Sequence, residues 1–356
     1  MNLMIIISEM NRGGAEKMAA HLANRISAIE GNSVSILVYG NSQSAYALCP
    51  GIRYNNINAS SRELRLRFPL IWKIRKKIIE NHVDVVLGFS AGISEILPLS
   101  VLGLHCRTIG TERANPYIRS HSAVRRFVTN MAFSKLDGMV FTTRGCRDYY
   151  SKSVREKSII IPNGYVETQA HKEPSVDRMY CKDIIAVGNL RQVKDYPTMI
   201  RAFSIFANAH SDYNLHIYGE GIEESAIRNL IGSYGLKDRI ILHGSVNDLT
   251  DVYKSCRFLV HSSRSESWCN AILEALSFGV PCIAADCDFG PREMIRHGFN
   301  GFLYEVGNAK QLADCISLLS EDDALLNEMS KNARQDVRRF EFNSIFKQYY
   351  NFLSGG

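Results

Sequence analysis

The sequence predicts an α/β protein of two consecutive open domains, each built on a parallel sheet. Three observations carry that prediction. At 356 residues the chain exceeds what one ordinary core organises, so two domains are the default. Short apolar runs alternate with helix-period segments from end to end, as parallel strands joined by crossover helices do. A polar stretch with two prolines and no periodicity, PNGYVETQAHKEPSVDRMYCK at 162–182, separates two such series.

Taken in order, the first series has strands at LMIIIS, SVSILVY, VDVVLGF, CRTIGT, GMVFTT and SIIIPN, with a helix at AEKMAAHLANRISAI after the Gly13-Gly14 turn. The second has strands at DIIAVGN, NLHIYGEG, RIILHGS, CRFLVHSS, PCIAAD and GFLYEV, with helices that include YPTMIRAFSIFANAH and ESAIRNLIGSYG. The last segment, RRFEFNSIFKQYYNFLSGG, reads as an aromatic-rich amphipathic helix that crosses back onto the first domain. The expected boundaries are a first domain over 1–165, a linker over 166–182, a second domain over 183–337 and the closing helix over 338–356. Two open sheets in succession imply a cleft, with ligands beyond the carboxyl ends of the strands.

Composition narrows the class. A chain that is 46% hydrophobic and 22% charged is a soluble globular protein. MNLMIIISEMNRGG lacks a basic leader and a small-residue cleavage site, so it reads as a buried strand and not a signal peptide. The most apolar stretch, ISEILPLSVLGL at 93–104, is too short to span a membrane. The nine cysteines are scattered without a Cys-x-x-Cys, which argues for a reducing cytosol and against a zinc site or disulfide framework. The net charge of +6 hides an asymmetry. Residues 1–165 carry 22 Lys/Arg against 11 Asp/Glu, a charge of +11, while the remainder carries 20 against 25, a charge of −5. The densest patch, RELRLRFPLIWKIRKKIIEN at 62–81, holds seven basic residues among apolar ones. It reads either as a solvated basic helix on an apolar stripe or as a surface resting on anionic membrane, where each near-surface cation contributes on the order of 1 kcal/mol. It contains no nucleic-acid-binding module, and no nucleic-acid partner is expected.

Several turns are suited to an anion. EMNRGGAEK places Gly13 and Gly14 between a strand and a helix N-terminus, where the backbone approaches negative charge closely. VGNLRQVKDYP at 187–197 presents Arg191 and Lys194 after a strand, two cations that suit a diphosphate at roughly 1.5–3 kcal/mol per charge-assisted bond. YGEGIEES, with Gly219 and Gly221, and HGSVNDL add glycine turns on the same rim. In SRSESWCNAILEALSFGVP, Asn270 is the expected N-cap of a helix stopped by Gly279 and Pro281. Glu266 precedes that helix and Glu274 lies within it among apolar neighbours, where a carboxylate needs a partner. Asp286 and Asp288 form an Asp-x-Asp, but two loop carboxylates are not an octahedral metal cage.

Together these segments resemble the family 4 retaining glycosyltransferases of the GT-B fold, of the type that assembles bacterial surface polysaccharide such as O-antigen or capsule. The resemblance rests on the Glu-x7-Glu of SRSESWCNAILEALSFGVPCIAADCDFGPREMI, on GGAEK, on IPNG at 161–164 and on VGNLRQVKD, all in the family's order. It implies two Rossmann-like α/β/α domains facing across a cleft, with the second holding a nucleotide sugar. Glu274 would bind the ribose, and Glu266 would lie against the donor sugar. Ser267, Trp268, Cys269 and Asn270 would hold sugar hydroxyls and phosphate. Arg191 and Lys194 would neutralise the leaving diphosphate, and Gly13 and Gly14 would approach it. The implied donor is a UDP-linked hexose or N-acetylhexosamine, and the implied acceptor a lipid-diphosphate-linked glycan at the inner face of the cytoplasmic membrane. No metal or other cofactor is implied, which leaves Asp286 and Asp288 as loop residues.

Three departures from the family pattern matter. Asn189 stands where Arg is frequent, Ser267 stands where Gly is frequent, and Glu112 and Arg113 in GTERANPY occupy the acceptor-side place of a frequent histidine. A hydrolysing sugar-nucleotide epimerase shares the fold but needs neither an acceptor nor a basic first domain. A non-enzymatic sugar-binding protein would ordinarily be exported. A dinucleotide-dependent oxidoreductase would need a complete glycine fingerprint.

Overall fold

The computed structural model describes residues 1–11, 13–40, 43–60, 67–119, 122–168, 171 and 177–355. It divides into one unit of Met1–Asn163 with Asn343–Gly356 and a second of Gly164–Phe342. Residues 62–66 of the basic patch, and 169, 170 and 172–176 of the expected linker, lie outside the described residues.

Among the described residues the first unit holds a seven-stranded parallel sheet: β1 Asn2–Ile7, β2 Ser33–Val38, β3 Arg53–Asn56, β4 Val85–Gly88, β5 Arg107–Glu112, β6 Gly138–Phe141 and β7 Ser158–Ile160, in the order β3-β2-β1-β4-β5-β6-β7. Strand β1 is buried at five of its six positions, as expected of a strand covered on both faces. β3 has no apolar run. It is held by backbone pairing to β2, with Ile36 opposite Tyr54, and it sits at the sheet edge where polar side chains meet solvent. The closing helix, Phe342–Ser354, belongs to this unit. Arg107 Nη2 donates to the Phe352 carbonyl at 3.1 Å, and Arg113 Nη1 donates to the Tyr349 hydroxyl at 3.0 Å.

The second unit holds β8 Asp183–Val187, β9 Asn214–Tyr218, β10 Ile240–Gly244, β11 Phe258–His261, β12 Cys282–Ala285 and β13 Gly301–Tyr304, in the order β10-β9-β8-β11-β12-β13, with the recorded pairs all parallel. One face packs on the helices Tyr196–Ala207 and Ala309–Glu321 through residues such as Ile200, Phe203, Leu312 and Ile316. The other packs on the helix Asn270–Ser277 through Ile272, Leu273 and Leu276. The backbone of Cys269 is extended and makes it the N-cap; Asn270 is already helical, one residue earlier than the sequence predicts. At the other end Gly279, at φ +68°, donates to Leu276 O, and Val280 donates to Ala275 O, both at 2.9 Å. These two bonds form a Schellman stop.

Within the stretch read as a linker, Arg178 is only 2% exposed. It donates to Cys256 O at 2.5 Å and to Phe278 O at 2.9 Å, tying the entry of this unit to the end of the Glu274 helix. Removing the buried guanidinium takes this donor from the Cys256 carbonyl and leaves the Phe278 carbonyl with the longer bond from Arg334 Nη2 at 3.2 Å. We expect Arg178→Met to lower stability by about 3 kcal/mol. A denaturant midpoint equal to that of the wild type would show that the clasp contributes nothing.

Candidate functional site

In the second sheet, consecutive connections run in opposite directions from β8 and β11, which are neighbours. The loops leaving their carboxyl ends therefore diverge and open a crevice, the place where ligands bind in open α/β sheets. The loop after β8 carries Arg191 and Lys194, and the loop after β11 carries Glu266. They are tied together by short bonds. Ser262 Oγ donates to Lys194 O at 2.7 Å, Ser263 Oγ donates to Val193 O at 3.1 Å, and Arg264 N donates to the same carbonyl at 2.8 Å. Arg264 also pairs with Asp195 at 3.0 Å. Asp195 is left-handed at φ 48° and accepts from Thr198 Oγ1, in the first turn of the following helix, at 2.8 Å.

These bonds place Lys194 Nζ 2.5 Å from Glu266 Oε1, with the two side chains 22% and 12% exposed. His261, the last residue of β11, puts Nε2 3.2 Å from the same oxygen and is 4% exposed. Its ring nitrogens meet no well-directed acceptor among the described residues, so this contact is a close approach that becomes an ion pair when the imidazole is protonated. Burial pushes the Glu266 carboxyl upward, but the charges and proximity of His261 and then Lys194 outweigh it and hold the group at about 2. Burial likewise opposes a charged His261, yet Cys269 and Glu266 facing the ring raise it to about 9. Lys194 is raised too, because Glu266 and Cys269 outweigh its burial. His261, Glu266 and Cys269 bring a ring nitrogen, a carboxylate oxygen and a thiol within 4.8 Å of one another, the one such cluster of His, Cys, Asp or Glu among the described residues. On that carboxylate the Lys194 ammonium already supplies the positive charge a metal would bring. Asp286 pairs with Arg292 at 2.9 Å, and Asp288 is exposed.

Arg191 is exposed at the N-cap of the 3₁₀ turn Gln192–Lys194. Glu274 is half-buried and accepts from the Tyr253 hydroxyl at 3.3 Å, while Tyr253 stacks on Phe278. Trp268 is 7% exposed, stands edge-on to Phe340 at 5.2 Å, and leaves its indole N–H without a partner among the described residues. Gly219 and Gly221 let the turn after β9 lie directly on Gly188 and Leu190. A side chain at 221 would meet the Leu190 backbone nitrogen at 2.8 Å. Both glycines thus allow a close backbone approach to the start of the loop that carries Lys194.

The predicted residues of the first unit are placed separately. Gly13 caps the helix Gly14–Ser27, and its N–H donates to the Tyr46 hydroxyl, which in turn donates to Gly13 O, both at 2.9 Å. Glu112 is fully buried and accepts from Tyr150 OH at 2.7 Å. Arg113 lies over the Phe89 ring at 4.5 Å and pairs with Asn163. This unit also exposes an apolar stripe on the helix Ala123–Ser134, where Val124, Phe127, Val128 and Met131 fall at the i, i+3, i+4, i+7 positions and are 48–73% exposed. Glu95, 6% exposed, binds that helix through Thr129 at 2.8 Å and meets Arg67 at 2.7 Å. Arg67 caps the basic helix Phe68–Glu80, on which Phe68 and Trp72 are 77% and 62% exposed. No helix among the described residues is long and apolar enough to cross a membrane.

Sequence reasoning passed over His261. The available signal was a titratable residue ending an otherwise apolar strand, FLVH, five positions before Glu266.

Comparison with known proteins gives a consistent picture. Residues 168–336 match the family model for glycosyl transferases group 1, and residues 12–168 match that for glycosyltransferase family 4. An uncharacterized glycosyltransferase of Haemophilus influenzae is 24% identical over 343 residues, covering 96% of both chains. The GalNAc-alpha-(1->4)-GalNAc-alpha-(1->3)-diNAcBac-PP-undecaprenol alpha-1,4-N-acetyl-D-galactosaminyltransferase of Campylobacter jejuni is 21% identical over 361 residues, covering 99% of this chain and 98% of that one. Among solved structures, that of Anabaena HepE in complex with UDP matches with a TM-score of 0.85 at 17% identity over the whole of both chains, a likeness of fold.

The charged cluster has a pH signature. A carboxyl held below its ordinary 4.5 stabilises the fold above that pH and loses the contribution as pH falls toward about 2. An imidazole held above its ordinary 6.5 stabilises below that pH and loses the contribution as pH rises through about 9. Thermal melting should therefore show Glu266→Gln flattening the acid limb below pH 4.5. An acid limb unchanged by that substitution would mean that Glu266 is not held by these partners.

Proposed function

Because the chain belongs to the family 4 glycosyltransferases and has the GT-B fold, we propose that it transfers a hexose or N-acetylhexosamine from a UDP-sugar, with retention, to a hydroxyl of a lipid-diphosphate-linked glycan in bacterial polysaccharide synthesis. The observation that carries this reading is the Lys194–Glu266 pair at the switch point of the second sheet. One cation and one carboxylate, fixed side by side in a crevice, match the two demands of a sugar diphosphate: charge for the leaving group and hydrogen-bond acceptors for sugar hydroxyls.

In the proposed reaction the bond from the anomeric carbon to the diphosphate breaks. A bond to the acceptor oxygen forms on the same face, and the acceptor proton passes to the departing diphosphate. Lys194, with Arg191 from the same loop, stabilises the charge that develops there. Glu266 holds the sugar, and Glu274 binds the ribose. Backbone groups at Ser267, Trp268, Cys269 and Asn270 hold hydroxyls or phosphate. No metal takes part in this scheme. UDP is favoured as the nucleotide by the ligand of the HepE structure, and a polyprenyl-diphosphate acceptor by the name of the Campylobacter relative.

The acceptor reading extends to location. The apolar stripe of Val124, Phe127, Val128 and Met131, with Phe68 and Trp72, lies in the half of the sequence that carries +11, and the pairing of apolar surface with cations suits an anionic lipid face. We place the protein at the inner face of the cytoplasmic membrane, as a peripheral protein.

Transfer should be tested with a panel of UDP-, GDP- and ADP-sugars, with the product anomer read by NMR. Lys194→Ala and Glu266→Ala should each lower kcat/KM by about two orders of magnitude or more, and Arg191→Ala, at an exposed position, by less. Wild-type rates in either of the first two variants would remove that residue from the reaction. Steady release of free nucleoside diphosphate without acceptor would instead favour a hydrolysing epimerase. Separately, the protein should sediment with anionic vesicles at low salt, and Phe127→Glu should release it. A protein that stays wholly in solution under those conditions has no such membrane face.

A further inference from the structure

Lys194 is asked to do two things. It balances the Glu266 carboxylate at 2.5 Å, and, on the reading above, it also serves a diphosphate. When the ammonium turns toward a diphosphate, a carboxylate only 12% exposed loses its nearest cation, and a buried charge without a partner is costly. A second cation is already present. The His261 ring, 4% exposed, lies 3.2 Å from the oxygen that Lys194 contacts, and neither ring nitrogen has a well-directed acceptor among the described residues. A small gap bordered by Val187, Lys194, Tyr196, Met199, His261 and Ser262 lies beside the lysine and the imidazole.

We propose that His261 is a positioning residue that keeps Glu266 in place and charge-balanced while Lys194 is handed over to the diphosphate of the nucleotide. The inference rests on the donor reading of this crevice. The groups that face the imidazole are few. Glu266 and Cys269 come from the loop after β11, Lys194 from the loop after β8, and Tyr196 from the helix that follows it. Cys287, after β12, reaches the cluster through Glu266, and its thiol is pushed up to about 12 by burial and that carboxylate. Lys194 is raised above its ordinary value and Tyr196 is raised as well, so neither titrates before the imidazole, which is held at about 9. Below that pH His261 is an imidazolium and Lys194 is released readily. Above it the imidazole is neutral, Glu266 draws Lys194 back, and the nucleotide diphosphate is bound more weakly.

The test uses the full-length protein with UDP as the probe. His261→Gln places a neutral N–H donor where Nε2 stood, and His261→Leu removes the donor. Glutamine should weaken UDP binding and raise the donor KM by about ten- to a hundredfold, with kcat at saturating donor changed far less. The wild type should lose UDP affinity between pH 8 and 10, and the glutamine variant should not. Comparing wild type with variant cancels the titration of the nucleotide itself. In ¹⁵N-histidine spectra, the resonance missing from the glutamine variant should be an imidazolium at neutral pH, a readout that a purely packing role would not produce and that needs no substrate. A position-261 imidazole that is neutral at pH 7 overturns the proposal, as does a glutamine variant with wild-type UDP affinity and an unchanged alkaline limb. If the leucine variant fails to fold, the glutamine variant and the spectra still decide. A wild type with a neutral-pH imidazolium and no affinity for UDP, GDP or ADP would instead refute the donor reading, and with it the hand-over.

Discussion

A carboxylate that is 12% exposed needs compensating charge, and burying Glu266 accounts for most of what surrounds it. Lys194 reaches it from 72 positions away in sequence and His261 from the strand end next door. The Lys194 contact requires the loops after β8 and β11 to be held in register. The serines at 262 and 263 and the Arg264–Asp195 pair do that locking, by satisfying backbone carbonyls and by fixing the left-handed turn into the next helix. Removing either charged partner of such a pair typically costs about 3–5 kcal/mol, much of it the penalty of stranding the other.

That arrangement is possible because of the sheet order. β8 and β11 are neighbours but their crossovers leave in opposite directions, so side chains from two distant segments meet at their carboxyl ends. Gly219 and Gly221 bring one turn onto the backbone at the start of the lysine loop. The buried arginines 178 and 257 tie the flanking helices by donating to carbonyls.

Much of this was legible in the sequence. All six strands of the second unit, the closing helix and the glycine stop at 279 follow from apolar runs and punctuation, because those elements are buried along most of their length and local pattern mirrors burial. β3 was not legible, since an edge strand is held by backbone bonds that side chains do not advertise. The shift of the N-cap from Asn270 to Cys269 was not legible either, because that helix starts where the Glu266 loop happens to deliver it. Arg178, read as part of a polar linker, is buried because its charge is satisfied by carbonyls that only folding brings near.

The sequence by itself determined the class of chemistry: a glycine-punctuated α/β chain, two carboxylates with seven residues between them, and a lysine loop, in an order specific enough to identify the family. Only the tertiary structure decided which of those groups act on each other. It seated Lys194 on Glu266, left Arg191 exposed, closed Glu112 inside a core against Tyr150, and put His261 beside the Lys194–Glu266 pair. The physical reason is that a side chain's charge state and reach depend on neighbours brought from other strands, and those neighbours are a property of topology and burial, not of spacing along the chain.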